Sequence, residues 1–237
     1  LALQRLELEA QLRQALAREE LVLHYQPMLD LHSQRVTDAE ALIRWRLSDG
    51  RMRPPADFIG LAEDTGLIVP IGRWVLRQAC IQALEWQAQG VPLRVAVNLS
   101  ARQFRDPQLL QSVQETLTQT GLDPRYLKLE ITESAVMENP EVVTRTLHAL
   151  RALGLGVSVD DFGTGYSSLA YLQRFPIDQI KIDRSFIHAT DTDADSAAIV
   201  RSIVDLARAL RLQTVAEGVE TEHQRTFLQS CGCDLVQ

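Results

Sequence analysis

Apolar residues recur along this chain in two different periods, and the switch from one to the other predicts its elements. Residues 1–20 (LALQRLELEAQLRQALAREE) repeat leucines at helical spacing with charges between them, which predicts an amphipathic helix. Such a helix either packs on the domain or connects it to an upstream one. Segment 21–29 (LVLHYQPML) reads as a strand, and a turn-rich stretch from Asp30 to Ser33 leads into a second strand, 35–43. So short a link makes a hairpin, hence an antiparallel pair. Helical patterns follow over 56–66 and 71–89, the second stopped by Gly90-Val91-Pro92. Strand 94–99, helix 107–120 and strand 127–132 come next, with Gly121 ending the helix. Helix 140–153 has Pro140 in its first turn and Gly154 past its end. Strand 155–160, a glycine-rich loop, a short helix near 167–173 and strand 179–183 follow. The chain ends with helix 195–210, strand 212–217, helix 220–230 and a last strand at 233–237.

Strands alternating with helices at about 30 residues per unit imply parallel βαβ connections. Eight strand candidates imply a closed barrel rather than an open sheet. The expected fold class is therefore α/β, a TIM-like (β/α)8 barrel with one antiparallel strand contributed by the opening hairpin. A chain of 237 residues suits such a barrel as one domain.

Composition narrows the function more than the fold. Nearly half of the residues are hydrophobic and the charges are mixed in sign, as in a globular protein. No apolar run is long enough to span a membrane and no signal peptide is visible. The chain begins at Leu1 rather than Met, so it is expected to be part of something longer, with an upstream membrane anchor left open. A net charge of −7 argues against polymeric nucleic acid as a partner. It does not argue against a small anionic ligand held through metal ions. Cys80, Cys231 and Cys233 make an odd count, which suits a reducing compartment better than a disulfide framework. Cys231-x-Cys233 has no second pair nearby and falls short of a zinc site.

Strand after strand is apolar and then ends in a group that binds cations. VAVNLS ends in Asn98, LKLEIT carries Glu130 with Glu133 just after it, and GVSVDD ends in Asp160-Asp161. QIKID carries Lys181 and Asp183, QTVAEG carries Glu217, DAEAL carries Glu40, and CDLVQ ends in Gln237. In a parallel barrel these C-terminal ends meet on one rim, where catalytic groups sit. Any one of these carboxylates could be a helix cap or a solvated loop residue. The set is harder to dismiss, because so many carboxylates and a single lysine on one rim would repel one another. Hard divalent cations resolve that repulsion, and all-oxygen donors suit magnesium or manganese. The loop from Asp161 to Ser168 (DFGTGYSS) lacks the third glycine of a dinucleotide fingerprint and any Walker lysine. Its glycines read instead as a tight loop beside the metal site.

At Glu40-Ala41-Leu42, within AEALIRW, the chain resembles the signature of the EAL domains. YQPM (25–28), FIGLAEDTGLI (58–68), VNLSARQF (97–104), LKLEITES (127–134), VDDFGTGYSSLAYL (159–172), IKIDRSFI (180–187), VAEGVET (215–221) and CDLVQ (233–237) resemble further blocks of that family in the same order. The resemblance runs from about residue 20 to the end. It implies a connector helix over 1–20 and a phosphodiesterase barrel over 21–237.

The activity this resemblance implies is hydrolysis of cyclic di-GMP to linear 5′-pGpG with two divalent cations, Mg2+ or Mn2+. Glu40, Asn98 and Glu130 would bind one metal. Asp160 and Asp161 would bridge or complete both, and Glu217 and Lys181 would lie around the attacking water. Which of those two acts as base stays open. Arg44 would hold a phosphate, Gln237 would complete the site with Leu42 and Asp183 on the ligand side, and Glu133 would anchor the 161–168 loop. The implied partners are cyclic di-GMP, a second copy in a homodimer, and an upstream GGDEF or sensor domain, all in the cytoplasm. Two features depart from the family pattern. Leu47-Ser48 stands where members have His-Pro, and members continue beyond Gln237. A true stop there is expected to destabilise the last strand. The rival reading is a catalytically inactive cyclic di-GMP receptor, and such members lack metal-site residues that this chain retains. A lyase or isomerase on the same barrel has only fold analogy behind it.

Overall fold

The structure, a computed structural model, describes residues 2–137, 140–165, 172–190 and 193–237. Its elements in chain order are α1 (Ala2–Ala15), β1 (Leu21–Asp30), β2 (Arg35–Arg46), β3 (Met52–Arg53), α2 (Ile59–Thr65), α3 (Ile68–Ala88), β4 (Arg94–Leu99) and α4 (Ala101–Phe104). They continue with α5 (Leu109–Thr120), β5 (Leu127–Thr132), α6 (Glu133–Met137), α7 (Pro140–Ala152), β6 (Gly156–Phe162), β7 (Gln179–Ile182), α8 (Arg184–Ala189), α9 (Ala194–Leu210), β8 (Gln213–Ala216), α10 (Glu222–Cys231) and β9 (Leu235–Val236).

Eight strands close on themselves in the order β1-β9-β8-β7-β6-β5-β4-β2, and the β1–β2 pairing seals the ring. β1 is antiparallel to both of its neighbours, and the other strands of the ring are parallel. This is the TIM-like barrel with one reversed strand that the alternation predicts. β3 is an addition, a two-residue strand antiparallel to the end of β2. The expected strand 35–43 extends to Arg46 because β1 pairs with it as far as Leu21↔Trp45. The expected first helix stops at Ala15 instead of residue 20. Glu19 adopts φ 55°, and the Glu20 N–H donates to the Ala15 carbonyl, turning the chain into β1. The short helix expected near 167–173 falls largely outside the described residues.

Leu12 and Ala15 of α1 are buried in the main core, so the leucine stripe docks that end of the helix on the barrel. Trp45 joins them: its indole N–H donates to Glu20 Oε2 at 3.0 Å and its ring meets Phe58 edge-on at 5.6 Å. Among the described residues, no helix is long and apolar enough to cross a membrane.

Strand register sorts the residues that face the lumen. Asp38↔Arg94, Glu40↔Ala96, Asn98↔Glu130, Thr132↔Asp160, Ser158↔Gln179 and Lys181↔Val215 are partners across neighbouring strands. Paired residues share a face, and every second residue returns to it. The lumen is therefore layered. Asp38, Lys128 and Gln179 lie at the end where the parallel strands begin. Met28, Ala96, Val215 and Leu235 form an apolar cluster of their own. Carboxylates gather where the strands end.

Candidate active site

Lys181 organises the site. It sits on β7, a strand buried along its whole length, and its side chain is 1 % exposed. A buried ammonium must be paired, and this one has four partners. Its Nζ lies 2.6 Å from Glu217 Oε1, 2.9 Å from Glu130 Oε2, 3.1 Å from Glu40 Oε2 and 3.3 Å from Asp160 Oδ1. Those carboxylates come from β2, β5, β6 and the end of β8. The two amides predicted for the rim also meet Glu40. Asn98 Nδ2 donates to Oε1 and Gln237 Nε2 donates to Oε2, both at 2.6 Å.

One ammonium among four carboxylates leaves an excess of three negative charges, and the acids respond unequally. Burial pushes the Glu130 carboxyl up to about 8; Lys181 opposes that rise, while Glu40 and Asp160 add to it. Burial also raises Glu217, to about 7, against Lys181 and with Asp160. Glu40 is likewise penalised by burial, yet Lys181, Gln237 and Asn98 together hold it below its ordinary value. Burial, then Asp160 and Asp183, raise Asp161. Lys181 is raised well above its ordinary value, because Glu130, Asp160, Glu40 and Glu217 outweigh the cost of burial, so it is an ammonium at neutral pH.

Two overlapping groups offer oxygen atoms within 4.8 Å of one another: Glu40, Glu130 and Asp160, and then Asp160, Asp161 and Glu217. Asp160 belongs to both. Among the described residues, Glu130 Oε1 and Gln237 Oε1 are buried without a hydrogen-bond partner. A buried carboxylate oxygen left unpaired, in an all-oxygen cluster with surplus negative charge, fits a hard divalent cation. The cluster can thus hold divalent metal. Asp161 adds local strain, with φ 54° and its N–H on Asp160 Oδ1 at 3.0 Å. Asp is among the residues that tolerate this region, and such strain gathers at functional sites.

A cleft of about 520 Å³ opens above the cluster. Glu40, Leu42, Asp160, Asp161, Asp183, Glu217 and Gln237 line it, all of them singled out from the sequence. Asp183 also caps α8, accepting from the Ser185 N–H at 2.9 Å. Arg44 stands two residues beyond Leu42 on the same face of β2. Its Nη1 donates to the Ile43 carbonyl at 2.8 Å, and it is not part of the cleft wall. Glu133, first residue of α6, is buried and accepts from the Gly163 N–H at 2.9 Å. A Cβ on Gly165 would meet Glu133 Oε1 at 3.2 Å, so the carboxylate lies against the start of the glycine-rich loop. Residues 166–171 of that loop are outside the described set.

The sequence reading missed Gln26, Arg184, His188, Gly218 and Glu220, which complete the cleft wall. Gly218 carried a signal, since it directly follows Glu217. Its φ is 68°, and a Cβ there would come within 2.7 Å of Arg184 Cβ and 2.9 Å of His188 Nε2. Glycine is what lets the strand end turn away under these side chains.

The chain is similar to several known proteins. The signaling protein YkoW of Bacillus subtilis is 46% identical over 233 residues, covering 98% of this chain and 29% of YkoW. The bifunctional diguanylate cyclase/cyclic di-GMP phosphodiesterase MucR of Pseudomonas aeruginosa is 48% identical over 237 residues, 100% of this chain and 35% of MucR. The chain thus spans about a third of the length of these curated relatives. A solved structure of the PaMucR phosphodiesterase in complex with c-di-GMP superposes with a TM-score of 0.94 at 48% identity, covering 98% of this chain and 94% of that one. The family description "EAL domain" matches residues 9–237, and the chain belongs to the EAL domain family.

Proposed function

We propose that this domain is a metal-dependent phosphodiesterase that opens cyclic di-GMP to linear 5′-pGpG. The observation that carries the reading is the pair of acidic groups sharing Asp160, with a buried Glu130 oxygen that has no hydrogen-bond partner among the described residues. The names of MucR and of its c-di-GMP complex support it. Two divalent ions, Mg2+ or Mn2+, would be held by Glu40, Asn98, Glu130 and Asp160 on one side and Asp160, Asp161 and Glu217 on the other. When bound, such ions lower the pKa of a water and neutralise charge on the phosphodiester.

The chain's own residues divide the remaining work. Lys181 is a fixed ammonium and cannot accept a proton. It holds Glu40, Glu130, Asp160 and Glu217 in one constellation beside the phosphodiester. Glu217, at the cleft and 2.6 Å from the Lys181 ammonium, would orient or deprotonate the attacking water. Leu42, Asp183 and Gln237 face the ligand, with Arg44 reaching a phosphate from the outer end of β2. Residues 1–20 serve as the connector to an upstream GGDEF or sensor domain, and residues 21–237 as the catalytic barrel. In that setting the domain works as a homodimer in the cytoplasm.

Incubation with cyclic di-GMP and Mn2+ or Mg2+, followed by separation of products, tests the reading. Linear pGpG is expected. Dialysis against a chelator should abolish turnover and either cation should restore it. Tight binding without product, in both metals, would establish the receptor reading instead.

Glu133 gives a separate prediction. If it sets the position of the loop that Asp161 opens, Glu133→Ala should raise the metal concentration needed for half-maximal activity by about tenfold, the scale of a lost hydrogen bond to a charged group. Glu133→Gln keeps an acceptor for the Gly163 N–H and should recover most of the loss. A lowered melting temperature with unchanged metal dependence would reduce Glu133 to a structural role.

A further inference from the structure

The opposite mouth of the barrel holds a second, larger cleft of about 740 Å³. It lies where the parallel strands begin, far along the lumen from the acidic rim. Among the described residues its wall carries Arg94, Arg125, Lys128, Arg151 and Arg211, against one carboxylate, Asp178. The catalytic cleft has the reverse balance, with Glu40, Asp160, Asp161, Asp183, Glu217 and Glu220 against Arg184 and His188. A chain of net charge −7 therefore concentrates cations around one cavity. Such clustering focuses a field that attracts anions.

Lys128, Arg94 and Arg151 are held by partners from other elements, while Arg125 and Arg211 are exposed. Lys128 is 3 % exposed, and its Nζ donates to Asp38 Oδ1 at 3.1 Å and Gln179 Oε1 at 2.9 Å. Arg94 Nη2 is 2.8 Å from the other Asp38 oxygen. Arg151 Nη2 is 2.8 Å from Asp178 Oδ1, while Asp178 Oδ2 accepts from the Val157 N–H. Arg125 pairs with Asp123, which stands outside the wall. Counting Asp38 and Asp123 with Asp178, five cations face three carboxylates, so a surplus of positive charge remains. The Gln179 Nε2 beside Lys128 is buried without a partner among the described residues. Leu155, Ile177 and Leu212 supply an apolar wall. Guanidinium forks match phosphate oxygens two at a time, and the volume falls in the range of small-molecule sites.

We propose that this basic cleft is a binding site for a small organic polyphosphate, its phosphates on Arg94, Arg125, Arg151 and Arg211 and its apolar body against Leu155, Ile177 and Leu212. The cleft is separate from the catalytic one and independent of the reaction assigned to it. Asp38 and Lys128 link the two ends of the barrel, because each lies two residues before a rim carboxylate, Glu40 on β2 and Glu130 on β5.

Calorimetry on the whole chain in low salt, with chelator present and no divalent cation, tests the site. Under those conditions the acidic rim repels anions. The probes are inorganic triphosphate and a nucleoside triphosphate. The difference between them separates recognition of phosphate alone from recognition of an organic phosphate, and the nucleoside triphosphate is expected to bind more tightly. Arg151→Gln combined with Arg211→Asn should weaken that binding by at least about tenfold, the cost of two lost charge-assisted contacts. Asn is chosen because Arg211 has φ 61°, a conformation Asn tolerates. Circular dichroism verifies that the variant is folded, and Arg125→Gln supplies a second reading if it is not. Absence of saturable binding, binding of inorganic triphosphate as tight as that of the nucleoside form, or an affinity unchanged in the folded variants would overturn the proposal.

Discussion

Glu40→Ala should remove measurable hydrolysis of cyclic di-GMP at saturating Mg2+ or Mn2+, a loss of at least about a thousandfold, the upper scale for one preorganised electrostatic group. The reason lies in how much one carboxylate arranges. Glu40 Oε1 receives Asn98, and Oε2 receives both Gln237 and Lys181. β2, β4, β7 and the end of β9 therefore converge on a single side chain. Its loss takes a ligand from the first acidic group and releases both amides from their aim. The fold should survive, because Lys181 keeps Glu130, Asp160 and Glu217. The remaining cost is of the order of a lost buried hydrogen bond, about 1–3 kcal/mol. A product assay beside melting curves decides the matter. Wild-type turnover in a folded Glu40→Ala protein would remove Glu40 from the site.

Lys181→Met should act on stability and turnover together. Four carboxylates lose their common cation, and Glu130 is wholly buried. Breaking a buried ion pair from one side costs about 3–5 kcal/mol, because the other charge is stranded. Metal-free Lys181→Met should therefore melt well below the metal-free parent. A divalent cation replaces the missing charge, so added Mn2+ should raise the melting temperature of the variant more than that of the parent. Turnover should still fall by at least about a hundredfold even at saturating metal, if Lys181 orients or charges the site as proposed. Ligand binding should be largely kept. Equal melting temperatures in chelator, with a parental rate in metal, would return Lys181 to a passive place in the lumen.

These two variants probe the part of the site that was most legible in the sequence. A barrel strand repeats its inward face every second residue, and its C-terminal end points to one rim. Glu40, Glu130, Asp160, Lys181 and Glu217 follow from that geometry once the strands are recognised. The ionic layer of Asp38, Arg94 and Lys128 obeys the same period but escaped notice, because polar residues at a strand's start look like its solvated end. His188, Arg184 and Glu220 were illegible for another reason. They stand on α8 and in the turn after Glu217, and only the packing of α8 over Gly218 brings them to the cleft. Arg44 was identified by likeness to a motif, which says nothing of where a long side chain lies. β3, with two residues, is too short to have a period.

The reversed strand has a consequence for synthesis. Within the barrel β1 is made before the other strands, and in the ring it lies between β2 and β9. Its pairing Leu29↔Val236 joins positions roughly 200 residues apart, and Gln237 reaches Glu40 over a similar span. A chain still emerging from the ribosome can form the β1–β2 hairpin early, but the other edge of β1 stays open until Leu235 and Val236 are free of the tunnel. An open edge of that kind pairs with foreign strands. Until β9 docks, then, one edge of β1 is open and the Gln237 contact on Glu40 is missing from the rim.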